Sequence, residues 1–103
     1  MTAPAHAQGS CRLIAGEKVP AGSGGAEAIC AAVERAAAAK APDVRYSAEI
    51  RVLSSSMLAA KLVANGRKLP EQKFAVMDGE ISASAIERFA DAVATALAEE
   101  GKR

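Results

Sequence analysis

The chain is poor in the residues that most often carry chemistry. Its 103 residues include one histidine, two cysteines and no tryptophan, and aromatics make up 3%. The histidine, His6, lies in a leader without apolar periodicity, so neither cysteine has a positioned base to make it a nucleophile. Cys11 and Cys30 form no C-x-x-C redox motif, and with one distant histidine they make no zinc ligand set. The motifs G-x-S-x-G, S-x-x-K and H-E-x-x-H are absent. The reading is a non-catalytic protein without cofactor or metal.

Charge of one sign is lacking too. Thirteen Lys and Arg face twelve Asp and Glu, for a net +1. Phosphate neutralisation needs a basic surface, so the expectation is no nucleic-acid partner. The balance gives no reason for docking on an anionic membrane. No apolar run reaches the ~18 residues of a spanning helix, so no transmembrane segment is expected.

What is present is alanine. It supplies 26 residues of a composition counted 50% hydrophobic. Apart from Met1, the larger apolar side chains number 23. Each is worth roughly 1.5–3 kcal/mol when fully buried, against a single methyl for Ala. The core is therefore assembled from few large pieces, and a domain of this kind gains from a covalent staple.

Residues 1–10 read as a flexible tail. Ala5-His6-Ala7 has the A-x-A form that precedes signal-peptidase cleavage, without the basic and apolar regions in front of it. The alternatives are a signal-peptide remnant and an Ala-rich leader. Residues 11–103 form one α+β domain. Cys11 to Ala15 is a short strand, and Gly16 to Gly25 is a loop punctuated by Pro20, Gly22, Gly24 and Gly25. Ala26 to Lys40 is a helix with Ala26, Ile29, Val33 and Ala36 or Ala37 on one stripe, stopped by Pro42.

Val44 to Leu53 alternates as a half-buried strand, with Arg45, Glu49 and Arg51 on the polar side. A Ser54-Ser55-Ser56 turn leads to a central strand from Met57 to Ala64. Asn65-Gly66 is a hairpin signal, because both residues tolerate positive φ. Arg67 to Met77 returns, and Pro70 makes it an edge strand or a bulged one. A strict two-residue hairpin puts Phe74 on the face opposite Leu58 and Leu62; a bulge brings it back. Ser84-x-x-Glu87 reads as a capping box for a second helix striped by Ile86, Phe89, Ala90, Val93 and Leu97 and capped by Gly101. The order is β-α-β-β-β-α. The expected fold is a two-layer sandwich, a three-stranded antiparallel meander with two helices on one face.

Cys11 and Cys30 bracket 18 residues, and a bridge between them pins the first strand to the first helix. Such a bridge implies an oxidising compartment, periplasmic or secreted. The alternative is two reduced thiols in a cytosolic regulator or inhibitor. Gly22-Ser23-Gly24-Gly25 before a helix start offers N–H groups to an anion. It lacks the Gly-Lys-Ser/Thr of a Walker motif, and Glu27 takes the third glycine's place in G-x-G-x-x-G, so a capping loop is the simpler reading. Glu71, Asp78, Glu80, Glu87 and Asp91 are scattered without metal-ligand spacing.

The sheet face away from the helices is the candidate surface. It is expected to carry Arg45, Glu49 and Arg51 on one strand and Met57, Ala59, Lys61 and Val63 on the next. Basic groups around an apolar strip suit contact with a protein partner or a second copy of the chain. In element order alone, Ala26 to Glu100 resembles the double-stranded RNA-binding domains. That family grips phosphates with basic residues at the start of its last helix; Ile81 to Glu87 here contains no Lys or Arg. The resemblance therefore implies the topology and not RNA binding.

Overall fold

The computed structural model describes residues 9–19, 24–77 and 79–102. Five strands and two helices follow one another: β1 (Gly9–Ile14), α1 (Glu27–Lys40), β2 (Tyr46–Ser54), β3 (Met57–Ala64), β4 (Arg67–Lys68), β5 (Gln72–Ala75) and α2 (Ala83–Gly101). The class is α+β as expected, but the sheet is mixed. β1 adds to the free edge of β2 in parallel, Cys11 beside Ala48 and Leu13 beside Ile50. It begins at Gly9, so Gly9 and Ser10 belong to the sheet, whereas residues 1–8 lie outside the described residues.

β2, β3 and the β4–β5 pair are the meander. Alternation sends Ala48, Ile50, Val52, Leu58, Ala60, Leu62 and Ala64 to one face, where all are buried. Both helices lie on that side. α1 contributes Ile29, Ala32, Val33 and Ala37, and α2 contributes Ile86, Phe89, Ala90, Val93 and Leu97, to a single core with the strands. Small residues on both helices, Ala32, Ala37 and Ala90 among them, are buried in that core.

The third strand of the meander settles the register at Pro70. Asn65 (φ 53°) and Gly66 (φ 84°) form the two-residue turn that pairs Ala64 with Arg67 and Val63 with Lys68. The Leu69 N–H continues the ladder by donating to Leu62 O at 2.9 Å. Beyond Pro70 the pairing shifts by one residue, and Phe74 lies opposite Leu58. The extra residue is a bulge at Pro70-Glu71, and a proline that cannot donate to the ladder sits where the ladder breaks. The bulge turns Phe74 inward, edge-on to the Phe89 ring at 5.7 Å between centroids.

Two helix-end readings are corrected. α2 is capped by Ser82, whose Oγ accepts from the Ala85 N–H at 3.2 Å, and not by Ser84. The Ser82 position leaves Glu87 free to reach across to Arg35 on α1 at 3.1 Å. Gly101 is the last residue of α2 rather than a left-handed cap, and Lys102 follows in helical conformation. A Cβ on Gly101 would sit 2.6 Å from Val44 Cγ2, so the glycine permits the helix end to touch the strand entry.

Cys11 and Cys30 are joined, with a Cα separation of 5.6 Å, across the loop between β1 and α1. Gly16–Lys18 in that loop forms a 3-10 turn entered through Ala15 in the left-handed region (φ 62°). No helix among the described residues is long and apolar enough to cross a membrane.

Candidate interaction surface

The face of the sheet opposite the helices is not covered by any described element. The register places Arg12 and Ile14 on it from β1, Glu49 and Arg51 from β2, and Met57, Ala59, Lys61 and Val63 from β3. Six of the seven residues named for this face in the sequence analysis, all but Arg45, therefore lie on it. Arg45 stands at its rim, just before β2, with its backbone tied to the hairpin. Its N–H donates to Asn65 Oδ1 at 3.0 Å, and its carbonyl accepts from the Asn65 N–H at 2.6 Å.

Exposure along the apolar strip differs from the expectation. Met57 and Val63 are half-buried, and Ala59 is only 2% exposed. Ala59 lies in a cross-strand row between Arg51 and Lys73. Long stems on both sides cover a methyl and keep their charged ends in water, which supplies part of the cover an apolar central strand needs. Ala59 is thus a floor between cations and not a contact residue.

Three basic residues of this face were not singled out in the sequence, and two of them depended on the fold. Arg12 becomes a neighbour of Glu49 only because β1 pairs in parallel with β2, and its Nη2 reaches Glu49 Oε1 at 3.4 Å. Lys73 is sent outward by the same bulge that brings Phe74 inward; an unbulged hairpin would have placed it opposite Leu58, toward the helices. Lys68 pairs with Val63 and was legible from the Asn-Gly turn.

Glu49 has Arg12 on one flank and Lys61 on the other. Among the described residues no carboxylate lies within ion-pair distance of Arg51, Lys61, Lys68 or Lys73. On the helix side three cations are paired: Arg35 meets Glu87, Lys40 meets Asp91 at 2.5 Å, and Arg67 meets Glu100 at 3.2 Å. The first two are exposed pairs, which contribute about 0–1 kcal/mol each and matter more for where charge is neutralised than for stability, whereas the Glu100 side chain is only 11% exposed.

Other candidate sites carry less. Gly22 and Ser23 of the glycine loop, Asp78 and His6 lie outside the described residues. The N-cap of α1 is Ala26, which supplies no side-chain cap. No group of three His, Cys, Asp or Glu side chains gathers among the described residues. An open depression of about 460 Å³ beside the start of α2 is lined by Phe74, Val76, Met77, Glu80, Ser82 and Arg88, and Met77 is 88% exposed at its edge. The phenol of Tyr46 is held above the usual tyrosine range, first by burial and second by the Glu34 carboxylate. Both causes favour the neutral hydroxyl, which suits a packing role at the sheet end better than acid–base work.

Comparison of the chain with protein-family models, curated proteins and solved structures found no match.

Proposed function

We propose that this protein is a small non-catalytic binding module that works in an extracytoplasmic compartment through protein–protein contact. The observation that carries the reading is the open sheet face, where half-buried Met57 and Val63 lie among basic side chains that lack carboxylate partners among the described residues. Such a mixture provides contact area at its centre and orientation at its rim. The Cys11–Cys30 bridge supports the compartment, since structural disulfides persist where the environment is oxidising.

Two measurements test the reading. Val63→Asp places a carboxylate in the strip, and the reading expects it to weaken complex formation with the partner, or self-association, while the unfolding midpoint stays within about 1 kcal/mol of wild type. Unchanged association in that variant removes the sheet face from consideration. Cell fractionation with thiol trapping addresses the compartment: a native protein found reduced in the cytosol replaces this reading with that of a cytosolic regulator or inhibitor.

A further inference from the structure

The contact reading leaves the partner's chemistry open, and the segregation of charge narrows it. On the open face or at its rim stand Arg12, Arg45, Arg51, Lys61, Lys68 and Lys73, against Glu49 and the bulge residue Glu71, which falls opposite Lys61. That is six cations and two anions, a net +4 on one face of a chain whose total is +1, so the rest of the chain sums to −3. A near-neutral composition conceals a two-sided molecule.

We propose that the open face binds an acidic protein segment whose carboxylates meet Arg51, Lys61 and Lys73; the inference rests on the contact reading above. Arg51 and Lys73 flank Ala59 in one cross-strand row, and Lys61 stands in the adjacent row on β3, two residues along from Ala59. Strands ~4.8 Å apart and same-face residues ~6.7 Å apart put the three charges within roughly 10 Å of one another. That is close to the screening length at physiological salt, so they act as one field. An extended acidic segment, with same-side carboxylates at the same ~6.7 Å repeat, matches this spacing.

The alternatives fit less well. A second copy docking face to face opposes +4 with +4. Single-stranded nucleic acid lacks a stacking platform: Tyr46 and Phe74 sit on the helix side by register, and Phe89 is buried on α2. A lipid surface needs apolar side chains to insert, and the exposed large one among the described residues, Met77, lies beyond the end of β5.

The test uses the full oxidised chain, labelled for amide NMR, and four probes: a peptide of alternating Glu and Val, its Gln/Val counterpart, oligo-dT, and vesicles containing phosphatidylglycerol. The expected result is that the Glu/Val peptide perturbs outward-facing residues of β2, β3 and β5. The Gln/Val peptide binds at least about tenfold more weakly, and Arg51→Gln/Lys61→Gln/Lys73→Gln loses roughly tenfold for the acidic peptide, as three exposed charge contacts imply. The triple variant keeps every backbone hydrogen bond, and its unperturbed amide spectrum certifies the fold. Equal binding of the two peptides at this face overturns the charge inference and leaves the contact reading standing. Tighter binding of oligo-dT or vesicles overturns the choice of a protein partner. Failure of the acidic peptide to bind at ~1 mM overturns the proposal outright, whereas the contact reading itself is decided by Val63→Asp.

Discussion

Replacing both cysteines, Cys11→Ala with Cys30→Ala, opens the link between β1 and α1. The bridged residues are 19 apart in sequence. Chain entropy for a loop of this length predicts that the unfolded state gains about 11 cal/mol/K, or about 3 kcal/mol at room temperature. A domain of this size has roughly 5–15 kcal/mol to lose, so the bridge represents a fifth or more of its stability. Both cysteines are only half-buried, so the packing loss on truncation is the smaller term. Guanidinium unfolding followed by helix ellipticity reads the difference as a lower midpoint. The denaturant slope is expected to rise, because an uncrosslinked unfolded chain exposes more surface. Hydrogen exchange localises the effect. β1 pairs with β2 alone, and without the bridge its Gly9–Ile14 amides are expected to lose protection before those of β2 and β3. A double variant within about 0.5 kcal/mol of wild type, with β1 protected as before, would refute the entropic reasoning and show that β1 is held by packing.

Four further outcomes follow from particular contacts. Phe74→Ala removes the ring that the bulge turns against Phe89; equilibrium unfolding should show a loss of about 2 kcal/mol or more. Gly101→Ala should destabilise by about 1 kcal/mol although helix propensity alone favours alanine, and Val44→Ala in the same chain should relieve the clash, so a double-mutant cycle on thermal midpoints reads the coupling. Ser82→Ala should cost about 1 kcal/mol in chemical denaturation and Ser84→Ala only a few tenths, since the first supplies the cap. Tyr46 is the sole tyrosine, so its tyrosinate absorbance is unobscured: the midpoint should lie above the ordinary tyrosine value, and Glu34→Gln should lower it. Because the folded protein holds that proton more tightly than the unfolded chain, the stabilisation is complete below the unfolded tyrosine's pKa and is lost as pH rises from there toward the folded one.

Both helices were legible because their information is local. The Ile29/Val33 and Ile86/Phe89/Val93/Leu97 stripes recur at the helical period, and each stripe is buried as that period requires. The same holds for the alternation in β2 and for the Asn65-Gly66 turn, whose conformation depends on two residues. The Cys11–Cys30 bridge was legible as a possibility, since spacing shows that a loop can close but not that it does. The cap at Ser82 was missed by two residues: Ser82 and Ser84 are chemically alike, and the backbone direction at Ile81, whose N–H donates to Ser55 O, selects between them.

Three decisions belonged to the tertiary structure. The parallel pairing of β1 joins residues 35 or more positions apart and has no local signature, yet it brings Arg12 beside Glu49. Whether the third strand bulges depends on how much is gained by burying Phe74 against Phe89, a contact between distant segments, and that choice sends Lys73 to the open face. The +4 face is a consequence of both. Alternation in the sequence determined that β2 and β3 have an inner and an outer side, because a strand's side chains must alternate. Which other side chains share the outer side was decided by strand order and register, and these follow from burial of the common core.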